Sequence, residues 1–196
     1  MTGGVEWAAA IVPPSVSRPS ILDPIATRVN PPVTPLGGLS LPPSRLASGW
    51  AMDPYRLPYM STSLIGADPE LERYEIADIL LTSRRHNETV GVTGALLATE
   101  RNFAQVLEGE LADVEDVYAR IKRDWRHKDL ILIVTERITE RQFPQWSMAY
   151  IGPSQSAEEA VRRVASNVPA SKPGEAARAL VAFMSRMLAA AQAAAN

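Results

Sequence analysis

The 196-residue chain contains no cysteine, which excludes a disulfide framework, a thiolate nucleophile and any Cys-based metal site, and fits a reducing compartment. Its two histidines, His86 and His127, are too few for a His-based metal cluster. No stretch approaches the ~20 apolar residues of a membrane span. The first apolar run, residues 7–14, is short and follows Glu6 where a signal peptide would carry basic residues. Basic runs are also missing, and a formal net charge of −2 offers no electrostatic footprint for nucleic acid or a membrane surface. The expectation is a soluble cytoplasmic protein with no nucleic-acid or membrane partner.

What is present is 46% hydrophobic sequence, enough for one core of ordinary size plus extensions. Residues 1–50 hold nine of the sixteen prolines and five charged residues, a composition that opposes both helix and sheet. Residues 1–51 therefore read as a Pro-rich flexible tail, and Met52, just before the first strand, is an alternative start.

Tyr55 to Ser61 reads as a strand with Tyr55, Leu57 and Tyr59 on one face. Pro58 lacks a ladder N–H, so distortion is expected beside Tyr59. Asp68-Pro69 is an N-cap followed by proline at the first helical position, and the helix is expected to reach about Arg85. Gly91 to Ala98 and Asn102 to Leu107 form a hairpin through a loop without glycine, where Asn102 tolerates positive φ. Leu111 to Asp124 is an amphipathic helix with Leu111, Val114, Val117, Tyr118 and Ile121 on its stripe. Leu130 to Val134 reads as a strand buried on both faces, and Trp146 to Ile151 as the last strand, with Trp146, Met148 and Tyr150 on one face. The order βαββαββ predicts an α+β sandwich of ferredoxin-like type over 52–153. In the extension, 154–196, Ser156 to Glu159 is a capping box for a helix to about Asn167. A longer helix starts near Ser171, and Leu180, Phe183, Met184, Met187 and Leu188 form its apolar face. These two helices are expected to cover the second face of the sheet or a subunit contact.

The chemistry concentrates in residues 82–109. Counting back from Asn87 gives Ser83, Leu80 and Ile76, so polar Ser83 and Asn87 continue an apolar helix stripe. Alternation in the second hairpin strand sets Gln105 between Phe103 and Leu107 on one face. A buried amide without partners costs about 1–3 kcal/mol, so two amides aimed at one interior imply a buried water or a polar ligand.

These motifs, Thr-Ser-x-x-His-Asn (82–87), Thr-Gly-Ala-Leu (93–96), Phe-x-Gln-x-Leu-Glu-Gly (103–109) and Phe-Pro-x-Trp-Ser-Met (143–148), resemble in order and spacing the BLUF family, the blue-light sensors that use FAD. The resemblance covers Tyr55 to about Pro153. It implies the same ferredoxin-like fold, with the isoalloxazine of a non-covalent FAD between the two long helices. In that reading Asn87 hydrogen-bonds the polar edge of the flavin, Gln105 is the switching glutamine and Tyr59 the electron donor. Phe103 packs near the ring, with Ser83, His86 and His127 beside it. Arg84 and Arg85 are candidates for the phosphates, and Trp146 and Met148 for transmitting the signal. The absence of cysteine agrees with a cofactor that forms no thiol adduct. No cyclase-like or phosphodiesterase-like length of chain follows, so the implied output is a separate protein effector or a change in a homo-oligomer. The alternatives are an acylphosphatase-like hydrolase, in which an Arg and an Asn hold phosphate, and a flavin-free interaction module in which Tyr59 and Gln105 fill the core.

Overall fold

The computed structural model describes residues 53–66, 68–168 and 172–194; the Pro-rich segment, the Met52 start and the helix start at Ser171 lie outside the described residues. In chain order the elements are β1 (Tyr55–Ser63), α1 (Pro69–Val90), β2 (Thr93–Ala98), β3 (Asn102–Gly109), α2 (Leu111–Ile121), β4 (His127–Leu132), β5 (Glu136–Arg137), β6 (Ala149–Ile151), α3 (Gln155–Asn167) and α4 (Pro173–Ala194). The strands form one mixed sheet in the order β4-β1-β3-β2-β6, with β5 also pairing to β1. β2 and β6 run parallel; the other pairs are antiparallel. This is the α+β ferredoxin-like arrangement that the element order predicts.

Alternation along the strands divides the core in two. Leu57, Tyr59, Leu96, Phe103 and Leu107 face Ile76 and Leu80 of α1 and Val114, Val117 and Tyr118 of α2. Met60, Ala95, Leu97, Ala104 and Val106 face the opposite way, against Val161 of α3 and Leu180, Met184 and Leu188 of α4. The C-terminal helices thus lie on the second face of the sheet, with Phe183 and Met187 partly buried there.

α1 begins where the Asp68 carboxylate accepts the N–H groups of Glu70 (2.9 Å) and Leu71 (3.3 Å). It runs past the expected end at Arg85 because its stop is Gly91, which takes the left-handed conformation (φ 69°) that glycine adopts without a Cβ penalty. α2 ends at Ile121, short of Asp124. α3 is capped by Ser154, whose hydroxyl accepts the Ala157 N–H, and the Ser156 capping box does not form.

Three local expectations are corrected, and the distortion expected beside Tyr59 is found on one side of β1 only. The β1–β3 register runs unbroken through Pro58, which pairs with Val106. On the other side of β1 the pairing with β4 shifts register between Met60 and Thr62, next to Tyr59, while the Pro58 carbonyl accepts the Ile133 N–H at 3.0 Å. The β2–β3 loop closes without positive φ at Asn102; instead Thr99 Oγ1 accepts the Asn102 N–H (3.0 Å) and donates to its carbonyl (3.2 Å). The 130–134 run is not buried on both faces: β4 is an edge strand, and Ile131 and Leu132 are 51% and 43% exposed. Periodicity alone cannot distinguish an apolar edge from an apolar centre. Lastly, regular pairing in the final strand begins only at Ala149. Because 144–148 turns and bends, period-2 alternation fails there: Trp146 packs toward α3 and α4, and Met148 toward α1 and α2.

Candidate functional site

Gln105 occupies the middle of β3, directly opposite Tyr59 of β1 and Leu96 of β2. Cross-strand neighbours on one face have Cβ atoms about 4.5–5.5 Å apart, so the phenol and the carboxamide meet because of register alone. The Tyr59 hydroxyl donates to Gln105 Oε1, and Gln105 Nε2 donates to the Met148 sulfur at 3.2 Å. Tyr59 and Gln105 are 2% and 3% exposed. Burial, then the neighbouring Tyr118 and Asp124, push the Tyr59 phenol far above its usual range, so it remains a proton donor. The Tyr118 ring lies 5.2 Å away, centroid to centroid.

Asn87, on the last turn of α1, donates from Nδ2 to the Ser147 carbonyl at 2.8 Å. His127, at the start of β4, bonds Ile121 O through Nε2 and Ser61 Oγ through Nδ1, both at 2.9 Å. A carbonyl can only accept, so Nε2 carries a proton; in the neutral ring Nδ1 then accepts from the serine.

These side chains surround a cavity of about 190 Å³ between α1 and α2 on the sheet face. Of the residues singled out in the sequence, Tyr59, Ser83, His86, Asn87, Phe103, Gln105 and His127 line it. Arg84 and Arg85 do not: Arg84 Nε is committed to the Met148 carbonyl (2.9 Å), and Arg85 is exposed. Met148 reaches the site through its contact with Gln105, whereas Trp146 lies toward the opposite face.

Several lining residues were missed in the sequence. Ile79 and Thr82 fall at i and i+3 on a row that ends at His86 (i+7), beside the Leu80, Ser83, Asn87 row, and that second row was the available signal. Leu96 follows from hairpin register. Arg120, Asp124 and Arg126 gather at the α2–β4 turn, for which no sequence pattern was available. Arg126 hydrogen-bonds Asp124 and reaches across to α1, at Asp78 Oδ2 (2.8 Å) and Glu75 Oε2 (3.4 Å). Burial raises the Asp124 carboxyl, but the hydrogen bonds from Arg126 outweigh it and hold the group below its usual range. Asp78 precedes Asn87 by nine residues, about 13.5 Å of helix, so the charged mouth and the amide end are separated along the cleft.

A cleft between two helices, apolar along its walls, amide-bearing at one end and lined at the other by Arg120 and the Arg126–Asp124 pair, suits a planar heteroaromatic ring with a polar edge. Comparison with known proteins agrees. Residues 55–149 match the model of the family "Sensors of blue-light using FAD". Among solved structures, the chain is similar to BlsA in its ground state (31% identity over 56% of this chain and 72% of that one, TM-score 0.50). It is also similar to BlrB, a BLUF protein in its dark state (29% identity, 72% and 98%, TM-score 0.54). Among curated proteins it is similar to photoactivated adenylate cyclase subunit beta of Euglena longa, 31% identical over 88 residues, which are 44% of this chain and 10% of that protein. The chain thus spans about a tenth of the length of that relative. It belongs to the BLUF family, whose members are blue-light photoreceptors that bind flavin.

Proposed function

We propose that the chain is a photosensor that binds FAD non-covalently and signals through the Tyr59–Gln105 pair. The observation that carries this reading is the asymmetric hold on the buried Gln105 amide. Its oxygen accepts a phenolic hydrogen bond, while its nitrogen rests on a thioether, a weak acceptor. The amide is therefore firmly held at one end and loosely at the other, so rotation about its terminal torsion breaks one ordinary hydrogen bond, worth about 1 kcal/mol net.

Asn87 and Gln105 would hold the polar edge of the flavin, with Phe103, Leu96 and Ile121 as its walls and Arg120 nearest the phosphates in place of Arg84 and Arg85. When bound, the flavin supplies absorption of blue light and an excited ring that accepts an electron. Tyr59, a buried neutral phenol, would be the donor of that electron and of its hydroxyl proton, with Gln105, whose Oε1 already accepts the hydrogen bond, as the relay for the proton. Electron and proton would both return to Tyr59, leaving it a neutral phenol, so that the net change is the rotated amide, with Nε2 toward Tyr59 and the contact with Met148 exchanged. Met148 lies in the segment leading to β6, so the change leaves the site along the backbone. The output is a cytoplasmic protein effector or a change in self-association, with 52–153 as the sensing unit; among the described residues no helix is long and apolar enough to cross a membrane.

The test is the dark-minus-lit absorption spectrum of the purified chain under blue light. The wild type should release FAD on heating and show a small reversible red shift of the flavin band. Gln105→Leu should keep the flavin and lose the shift, because leucine is close in volume but neither donates nor accepts a hydrogen bond. Tyr59→Phe should lose the normal photocycle through loss of the donor. A full red shift in Gln105→Leu refutes the mechanism, and a chain that cannot be reconstituted with FAD refutes the reading.

A further inference from the structure

The glutamate of the Leu-Glu-Gly motif has no part in the switch just described, yet Glu108 is completely buried. It alternates with Leu107 and so points to the α3 and α4 side of the sheet, away from the cavity. Its Oε1 accepts from Arg56 Nε and Nη2, both at 2.8 Å, and its Oε2 accepts the backbone N–H groups of Gln142 (2.8 Å) and Phe143 (3.0 Å). One carboxylate thereby joins β1, β3 and the connector 138–148, which lacks regular secondary structure. The same connector grips α4: Phe143 is buried in the core cluster of that face, and Gln142 Nε2 donates to Ser185 Oγ at 3.1 Å. Five residues later it reaches the photoswitch at Met148. The intervening backbone is tied down as well, by Trp146 N–H on Phe143 O (3.2 Å), Gly94 N–H on Trp146 O (2.9 Å) and Asn87 on Ser147 O.

We propose that Glu108, held by Arg56, is a positioning residue of the photoswitch: it fixes the Gln142–Phe143 backbone and thereby sets both the placement of Met148 against the Gln105 amide and the grip of the connector on α4. A carboxylate is required because every contact is a donor. Glutamine offers one acceptor oxygen and turns an NH₂ group toward either Arg56 or the two backbone N–H groups. Loosening that end frees a connector whose other end carries the only contact of Gln105 Nε2 among the hydrogen bonds of the described residues. The orientation of the amide, and the rate at which it returns after light, would then depend on a charge on the opposite face of the sheet. The inference rests on the photosensing reading above.

The experiment uses the flavin-bound full chain and the variants Glu108→Gln and Arg56→Lys, with Glu136→Gln, whose carboxylate is 3.6 Å from Arg56, as control. Three quantities are read: the dark-minus-lit spectrum, the rate of thermal return in the dark, and amide hydrogen exchange of Gln142 and Phe143. In Glu108→Gln, exchange at those two amides should rise about tenfold and the return rate should change by about tenfold, with flavin still bound. Arg56→Lys, which keeps the charge but loses the fork, should fall between the two, and the control should match wild type. Faster exchange in Glu108→Gln with an unaltered spectrum and return rate would overturn the proposal, because a purely structural anchor predicts that combination. If Glu108→Gln does not fold, the same comparison in Arg56→Lys decides. A wild-type chain that binds flavin without a red shift would instead overturn the photosensing reading.

Discussion

A single cross-strand row, Leu132, Tyr59, Gln105, Leu96 and Tyr150, runs across the sheet and carries the chemistry at its centre. Because register places these residues, any change that slips β3 by one position would carry Gln105 to the α4 side. One residue at the sheet edge is strained. Asp129 is the only non-glycine residue with positive φ among the described residues (52°), and it lies where β1 and β4 shift register between Met60 and Thr62. L-residues other than Asn and Asp are costly there, and even Asp is less comfortable than glycine. Asp129→Gly should raise stability by about 0.5–1 kcal/mol, read as a higher denaturation midpoint with unchanged slope. A lower midpoint would mean that the carboxylate of this exposed residue makes a contact worth more than the strain. Asn87, Gln105 and Tyr59 were legible in the sequence because each is polar at a position that periodicity turns inward. Asp129 was not, since φ is set by the bulge and no residue type announces it.

At the scale of elements, amphipathic helices were the most legible part of the chain. The α1 stripe, the α2 stripe and the Leu180, Met184, Leu188 face each point to the sheet, because a 3.6-residue period leaves few alternatives. Strands were less so. A run such as 130–134 reads alike at the centre or edge of a sheet, and the Trp146 to Met148 alternation presumed an extended chain where the backbone bends. Helix ends were misjudged wherever the stop lay beyond the polar end of the stripe, as Gly91 does. The face of α4 allows a direct check. Leu180 is fully buried, and truncating a buried leucine costs about 2–5 kcal/mol through lost transfer energy and a residual cavity. Leu180→Ala should lower stability by that amount while leaving the absorption spectrum of bound flavin unchanged, because the cavity lies on the other face. An unchanged melting temperature would show that α4 is not held as described.

For the whole molecule, the sheet is the partition: one face holds the cavity beneath α1 and α2, and the other is sealed by α3 and α4. Among the described residues, all those lining the cavity lie between Tyr59 and His127, and the Met148 contact completes the site. Residues 1–51, with nine prolines and five charges, have a composition that offers little for a core. The C-terminal helices differ, since removing them would expose Ala95, Leu97, Ala104 and Val106, all at or near 0% exposure, as one contiguous apolar surface. Two truncations should therefore behave oppositely. A chain of residues 52–196 should bind flavin and give the same dark-minus-lit spectrum and return rate as the full chain. A chain of residues 52–153, although it keeps every cavity residue, should aggregate or dimerise through the bared face, and Phe143 should lose the packing that steadies the connector to Met148. The measurements are size-exclusion chromatography and the difference spectrum of all three chains. Loss of flavin from 52–196 would show that the N-terminal segment contributes to the site. A monomeric 52–153 chain with an unaltered return rate would show that α3 and α4 are dispensable to the sensor, and would count against any coupling between the photoswitch and α4.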